Sequence, residues 1–194
     1  MLASALIFLI ETASGLFVVA LLLRFYLQWA RAPQRNAVSD FLNAITNFAV
    51  RPVRRVVPGL WGFDWATLLL AWLTQFVELL LVLQLRGYTF GPAAGQALAV
   101  LLLLALTMLV RIALYIVIVV LIIQAVLSWV NPYSPIAPVL NALSRPFLRP
   151  VQRVVPPVAN VDLSPLIVII VCQLLLMLPV AYFAGVLTRL LQGL

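Results

Sequence analysis

The chain contains no histidine and no lysine, and its single cysteine is Cys172. Without histidine there is no imidazole to bind a metal or relay protons, and without lysine no Schiff base can form. One cysteine excludes an internal disulfide and a paired-cysteine site. The acidic residues are only Glu11, Asp40, Asp64, Glu78 and Asp162. We therefore expect a non-enzymatic protein with no catalytic residue, no metal and no cofactor.

Charge is also scarce. Only 9% of the 194 residues are charged and 65% are hydrophobic, with a mean hydropathy of +1.19. Soluble domains carry about 25% charged residues, and a soluble domain of this size cannot bury so much apolar surface. The composition excludes a soluble enzyme. It also argues against nucleic-acid binding, because the net charge of +7 comes from arginines placed between apolar runs. It predicts an all-α membrane protein.

Four apolar runs are long enough to cross a bilayer, which takes about 20 residues. They cover residues 2–29, 65–85, 98–130 and 163–187. The third run would extend about 50 Å as a helix, more than the apolar thickness of about 30 Å. We expect either one long, tilted helix or a helix whose outer part lies along the interface.

An internal repeat organises these runs. The segments RPVRRVVP at 51–58 and RPVQRVVP at 149–156, here called the boxes, agree at seven of eight positions. An acid follows each box, namely Asp64 and Asp162, and Gln75 and Gln173 match at the same offset. The sequence predicts two tandem two-helix units, residues 1–90 and 91–194. Because each unit has two spans, both enter the membrane in the same direction and form a parallel repeat.

The distribution of arginine predicts the orientation. Eight arginines lie in residues 30–64 and 131–162, whereas the opposite side carries only Arg86 and Arg189. Positive charge is enriched in cytoplasmic loops. Both basic segments are therefore expected in the cytoplasm and both termini outside.

Each basic segment is expected to contain a short interfacial amphipathic helix, because apolar residues recur there at helical spacing. In the first segment these are Val38, Phe41, Leu42, Ile45, Phe48 and Ala49, and in the second Ile136, Val139, Leu140, Leu143 and Phe147. Ser134 and Pro135 are expected to start the second helix, and Pro146 to end or kink it. The prolines at both ends of each box predict an extended, stiff segment.

The boxes and the acids that follow them suggest two roles. Asp64 and Asp162 are expected to cap the helices that they precede and to pair with an arginine of the adjacent box. The exposed arginines also suit phosphate oxygens. They would form a surface for anionic lipid headgroups or an acidic partner protein, or they would serve topology alone. The residues of this predicted surface are Arg51, Arg54, Arg55, Arg149 and Arg153.

Three charged residues are predicted within the outer half of the bilayer. Glu11 and Arg111 occupy matching positions before Trp29 and Trp129, and Glu78 lies inside the second span. Such residues are costly in lipid and are usually paired. We expect a structural ion pair or snorkelling side chains, with a coupling or permeation site as the functional alternative. Arg24 is expected to snorkel towards the interface.

The chain resembles the YggT (YlmG-related) family of integral membrane proteins. The resemblance lies in LLLRFYLQW and LSWVNPYSPI ahead of the basic segments, in the two boxes and in the aspartates that follow, and it covers nearly the whole chain. The second unit has the expected VDLSP at 161–165. The first has FDWAT at 63–67 and lacks its Ser-Pro, and the second lacks the glycine that Gly62 supplies in the first.

The resemblance implies a bacterial inner-membrane protein linked to osmotic tolerance and to envelope or division organisation, without a settled catalytic activity. Plastid relatives are linked to cytochrome assembly and nucleoid distribution. We expect a scaffold or assembly factor that contacts lipids or membrane-protein partners and no nucleic acid, with a homo-oligomer left open. The alternative is a small ion channel or transporter component in osmotic stress.

Overall fold

The structure is a computed structural model that describes residues 1–33, 36–57, 59, 63–88, 93–131, 133–155 and 162–193. Several positions named above lie outside the described residues. They are Arg35, Pro58, Gly62, Pro156, Val161 and the proposed boundary between the two units at residues 90 and 91.

The described chain is helical along most of its length. Its helices are α1 (Leu2–Trp29), α2 (Ala37–Val56), α3 (Trp65–Leu85), α4 (Ala94–Val130), α5 (Ala137–Val154), α6 (Ser164–Leu175) and α7 (Ala181–Gln192), with a π-helical segment, Leu176–Val180, joining α6 to α7. Four helical stretches are long and apolar enough to cross a membrane: α1, α3, α4 and the continuous stretch Ser164–Gln192. The predicted all-α class with four spans is confirmed.

The third span is a single helix, α4, of 37 residues, which corresponds to about 55 Å. The span is one long helix, as in the first of the two alternatives stated above, and its tilt stays a prediction. The prediction was four residues short at its N-terminal end, because Gly95 and Gln96 separate Ala94 from the apolar run that begins at Leu98.

The core lies where α1, α3, α4 and α6 meet. Val18 and Leu21 of α1 and Leu121 of α4 are almost completely buried, and Ala71 of α3 and Val168 of α6 pack in the same cluster. Many large apolar side chains of the same helices are exposed instead, among them Leu16, Leu103, Ile122 and Leu174. A helix that is apolar on all sides is typical of a membrane span, because its outer surface faces lipid.

Helices α2 and α5 lie at the same end of the bundle. The Tyr26 hydroxyl near the end of α1 donates a hydrogen bond to the Leu143 carbonyl of α5, and the Trp29 and Phe147 rings are 5.9 Å apart. Helix α2 follows α1 and is tied to it by Arg24. We call this the basic end, because α2 and α5 carry the arginines of the boxes. At the opposite end, the Tyr88 hydroxyl donates to the Leu191 carbonyl.

The predicted extended conformation of the boxes is wrong. Helix α2 continues to Val56 and α5 to Val154, so that the described part of each box is almost wholly helical, and Pro52, Pro146 and Pro150 lie inside helices. Pro146 therefore does not end α5. Ser134 is not its cap either, because α5 begins at Ala137, whose N–H donates to the Ser134 carbonyl.

Packing on the bundle explains why these helices tolerate their prolines. Each has a buried stripe with a four-residue repeat, consisting of Leu42, Thr46 and Val50 in α2 and Leu140, Ser144 and Leu148 in α5. Tertiary burial of such a stripe outweighs local propensity. Pro52 and Pro150 are exposed, so the missing backbone hydrogen bond lies on the outer side of the helix.

The apolar residues predicted for α2 do not all face the bundle. Leu42 is buried, whereas Phe41 and Phe48 are 63% and 74% exposed. The helix therefore presents one apolar stripe to the bundle and a second, outward-facing one to its surroundings. This second stripe is suited to lipid at the membrane interface.

Candidate functional site

Asp64 is the N-cap of α3, as predicted, and its side chain is bound by Arg54 of α2. Its carboxylate accepts hydrogen bonds from the Thr67 N–H and hydroxyl, and it also receives the Arg54 Nε at 3.2 Å and the Arg54 Nη2. Arg54 and Asp64 thus form a bidentate guanidinium–carboxylate ion pair, which is stronger than a single hydrogen bond. The Asp64 side chain is only 2% exposed and that of Arg54 is 44% exposed. Asp64 thus joins the end of α2 to the start of α3.

The electrostatics of Asp64 follow from these contacts. Burial acts to raise the pKa of this carboxyl, but the hydrogen bonds from Arg54 and Thr67 and the charge of Arg54 outweigh it and lower the pKa below its ordinary value. Asp64 is therefore an ionised carboxylate whose charge is compensated within the protein.

Asp162 has a different partner. Its carboxylate accepts hydrogen bonds from the Ser164 N–H at 2.9 Å and from the Gln152 side-chain amide at 2.8 Å. The predicted pairing with an arginine of the box is wrong here, because Gln152 occupies the position that Arg54 has in the first box. Burial acts to raise the pKa of Asp162, but the hydrogen bonds from Ser164 and Gln152 lower it overall.

Arg24 connects α1 to α2. Its Nη1 donates to the Thr46 hydroxyl at 2.6 Å and to the Asn47 side-chain oxygen at 2.9 Å. Thr46 is completely buried, and its hydroxyl donates a hydrogen bond to the Leu42 carbonyl. The guanidinium thus reaches the polar side of α2, and the hydroxyl that accepts from it is fixed by the helix backbone.

A polar pocket of about 380 Å³ lies between α1 and α2. Three arginines line it together with polar and small side chains: Arg24, Gln28, Ser39, Asn43, Asn47, Arg51 and Arg54, closed by Leu27, Ala32 and Leu42. The charges of Arg54, Arg51 and Asp64 all act on Arg24. Since Asp64 compensates only one guanidinium, positive charge is in excess. We call this the arginine pocket.

The five arginines of the predicted surface divide into two groups. Arg51 and Arg54 line the arginine pocket, whereas Arg55, Arg149 and Arg153 are exposed and do not line it. Sequence reasoning placed Asn43 and Asn47 on the polar face of this helix and expected Arg24 to snorkel, but it did not predict that they line one pocket. The signal was the polar stripe on α2, because Asn43, Asn47 and Arg51 recur every four residues and therefore share one helix face.

The cavity between α4 and α5, at the position in the second half of the chain that corresponds to the arginine pocket, is smaller and is lined by no arginine. Gln124 lies five residues before Trp129, as Arg24 does before Trp29, and its amide donates to the Asn141 side-chain oxygen at 2.9 Å. The cavity there measures about 120 Å³ and is lined by Gln124, Leu127, Ser128, Ala137, Leu140 and Asn141. Its lining carries no formal charge.

The charged residues predicted in the outer half of the bilayer are not all brought together. Glu11 faces Arg86 at 3.9 Å, and the Arg111 guanidinium lies 5.8 Å from the centre of the Tyr115 ring. Of the two stated alternatives, an ion pair between Glu11 and Arg111 is therefore not formed in the part of the chain that the structure describes. Arg111 is exposed, and a cation over an aromatic ring is a favourable contact.

Glu78 occupies a distinct position on α3. Its carboxylate interacts electrostatically with that of Glu11 and accepts a hydrogen bond from the Gln75 side chain. Among the described residues, the Gln75 Oε1 and Glu78 Oε2 atoms are buried without a hydrogen-bond partner. Unpartnered buried polar atoms are uncommon and call for an explanation.

An apolar cleft of about 690 Å³ lies between α1, α3, α4 and α5. Aromatic side chains contribute much of its lining, including Trp29, Trp65, Trp72 and Phe147. Val57, at the end of the first box, reaches its edge, so the cleft extends to the basic end. Its lining has the character of a site for hydrocarbon rather than for a polar ligand.

Taken together, the four apolar crossings and the basic end define a multi-pass α-helical membrane protein. The family described as CCB3/YggT matches residues 3–85 and 103–183. The chain belongs to this family.

The alignments with its relatives cover most of both chains. An uncharacterized protein of Pseudomonas aeruginosa is 34% identical over 184 residues, which covers 94% of this chain and 91% of the relative. The uncharacterized protein YggT of Escherichia coli is 32% identical over 168 residues, covering 86% of this chain and 85% of the relative. A protein of Vibrio alginolyticus is 34% identical over 170 residues, covering 86% and 88%. No solved structure matches the chain significantly.

Proposed function

We propose that this protein is a non-enzymatic scaffold or assembly factor of the bacterial inner membrane, with its basic end in the cytoplasm and both termini outside. In this proposal it consists of two tandem units, and its role is to organise lipids or membrane-protein partners of the cell envelope. The arginine bias between the basic segments and the opposite side supports this orientation.

The observation that carries the proposal is the joint location of exposed arginines and exposed apolar rings. Arg51, Arg55, Arg149 and Arg153 are exposed on α2 and α5 at one end of the bundle, and Phe41 and Phe48 face outward on α2. Helices with outward aromatic residues and arginines bind anionic membrane surfaces. The apolar cleft beside them suits an acyl chain.

Lipid selectivity tests this proposal. The protein is reconstituted in bilayers, and quenching of its tryptophans by brominated cardiolipin is compared with quenching by brominated phosphatidylcholine. We expect a preference for cardiolipin that weakens when Arg54, Arg55 and Arg153 are all replaced by Gln, because each guanidinium near the surface contributes about 1 kcal/mol. Equal quenching by both lipids in the unchanged protein contradicts the proposal.

The scaffold role requires a protein partner. Cross-linking in intact cells, from a photoreactive residue placed at exposed Arg149, should capture a discrete partner or a second copy of this chain. The same residue placed at exposed Leu174, on a lipid-facing part of α6, serves as the control and should capture no discrete partner. Identical products from both positions argue against a scaffold surface at the basic end.

A second candidate function is a small ion channel or transporter component active in osmotic stress. The observation that favours it is the pair of unpartnered oxygens on Gln75 and Glu78, with the Glu11 carboxylate within electrostatic range. Ion flux in sealed liposomes distinguishes the two functions. A transporter exchanges cations or protons and loses this flux with Glu78→Gln, whereas a scaffold shows no flux above that of empty liposomes.

A further inference from the structure

We propose that the arginine pocket is a binding site for a single phosphate group, carried by a lipid headgroup or by a small soluble molecule. This deepens the proposed function, because it assigns the recognition of phosphate to one defined pocket of the first unit rather than to the whole basic surface.

The three guanidinium groups retain donors for such a ligand. A guanidinium has five N–H groups. Arg24 uses its Nη1 on Thr46 and Asn47, which leaves its Nε and Nη2. Arg54 uses its Nε and Nη2 on Asp64, which leaves its Nη1, and Arg51 makes no hydrogen bond within the described residues. A phosphate group, with several acceptor oxygens and negative charge, matches this set of donors.

The pocket is prearranged for an anion. Arg24 is fixed by the buried Thr46 hydroxyl and Arg54 by the buried Asp64 carboxylate, so two of the three guanidinium groups need no reordering when an anion binds. Preorganised charges lose less entropy on binding. Asp64 is the acid whose charge acts on Arg24, and it is already paired with Arg54, so positive charge remains in excess in the pocket.

The matching cavity in the second unit supplies an internal comparison. It has Gln124 where the pocket has Arg24, and Gln152 matches Arg54. We therefore expect one phosphate group per chain, bound in the first unit. Replacing Arg24 or Arg54 with Gln introduces the residue that the second unit already carries.

The test uses the full chain in detergent micelles, with phosphatidic acid as the lipid probe and inorganic phosphate as the soluble probe. Native mass spectrometry counts the bound lipid, and titration gives its affinity. We expect one bound phosphatidic acid and an affinity about tenfold lower in Arg24→Gln and in Arg51→Gln, the loss of one charge-assisted contact. The matched control is Arg145→Gln, which removes the same charge from an exposed position of α5 outside both the arginine pocket and the proposed lipid surface, and should leave the affinity unchanged.

The outcomes separate the sources of phosphate and the competing explanations. If inorganic phosphate displaces the lipid, the phosphate group alone suffices. If it does not, the site requires the whole headgroup, and both results support the pocket. The inference is overturned if neither probe binds, or if Arg145→Gln weakens binding as much as Arg51→Gln. Arg51 makes no hydrogen bond within the part of the chain that the structure describes, so its variant should retain the melting temperature of the unchanged protein.

Failure of this inference is distinguishable from failure of the proposed function. If the cardiolipin preference is lost in the triple arginine variant but does not respond to Arg24→Gln, the proposed lipid surface is supported and the phosphate-binding pocket is contradicted. If inorganic phosphate binds and this binding depends on Arg24, but no cardiolipin preference is found, the phosphate-binding pocket is supported and the proposed lipid role is contradicted.

Discussion

The starts of α3 and α6 show how one substitution separates two otherwise similar places. Both follow a box of nearly the same sequence, and both are preceded by an aspartate that accepts a hydrogen bond from a residue ten positions earlier. In the first, Arg54 forms an ion pair with a buried carboxylate. In the second, the uncharged Gln152 amide donates one hydrogen bond to an exposed carboxylate.

This difference shows why the burial of an acid depends on its partner. A carboxylate can be buried when a guanidinium compensates its charge, whereas a glutamine amide provides too little compensation and the carboxylate stays in contact with solvent. We call the contact of Arg54 with Asp64, between α2 and α3, the first junction, and that of Gln152 with Asp162, between α5 and α6, the second junction. Arg54 also borders the arginine pocket, so the same residue stabilises the first junction and supplies charge for a ligand.

The largest expected effect comes from removing the buried charge. Asp64→Asn places an amide N–H₂ or a neutral oxygen against Arg54 and should lower the free energy of unfolding by about 2 kcal/mol, since hydrogen bonds to charged groups contribute about 1.5–3 kcal/mol. Asp162→Asn, the matched control, should cost no more than about 0.5 kcal/mol, as for ordinary surface changes. Chemical unfolding in detergent measures both. Equal losses would show that the two junctions are equivalent.

Acid should weaken the first junction more than the second. The folded-state pKa of Asp64 is lowered, so its stabilising contribution is complete above the unfolded-state value of about 3.9 and is lost as the pH falls through the folded-state pKa. The melting temperature of the unchanged protein should therefore fall steeply below about pH 4. Asp64→Asn should flatten this dependence more than Asp162→Asn does, and a parallel fall in all three proteins would contradict the assignment.

Arg54→Gln converts the first junction into a copy of the second. Gln can still donate one hydrogen bond, so the expected loss of stability is about 1 kcal/mol, the net contribution of a typical hydrogen bond. Arg55→Gln is the neighbouring control and should have almost no effect. A thermal melt of each variant in the same detergent measures the difference, and an Arg55 effect as large as that of Arg54 would point to net charge rather than to the ion pair.

The reverse change, Gln152→Arg, should have the smallest effect. An arginine there would reach Asp162, but exposed ion pairs contribute only about 0.2–1 kcal/mol. We expect a gain at the lower end of this range, abolished when Asp162 is also replaced by Asn. A double-mutant cycle measures the coupling, and a coupling as large as that of Arg54 with Asp64 would show that burial is not what distinguishes the two junctions.

The sequence predicted the spans well because their causes are local. The apolar runs placed α1 and α3 at their observed bounds, and a single helix was one of the two stated options for α4. The boxes were mispredicted because proline propensity is a local rule, whereas Val50 and Leu148, which directly precede the boxes, are buried in the core formed with other helices of the bundle. The pocket was missed for the same reason, since Arg24 belongs to an apolar run and its partners lie on another helix.

The π-helical turn around Pro179 has a consequence for how the last span meets its neighbours. A π-turn accommodates one residue more than an α-turn, and each residue advances an α-helix by about 100°. Every side chain beyond Val180 is thereby rotated relative to an uninterrupted helix, and Leu191 packs with Ala97 and Leu101 at the beginning of α4. The last span thus consists of two helical segments, α6 and α7, which are joined at Pro179 and differ in rotation about the helix axis. Each segment can pack against different neighbours while the helix continues without a break.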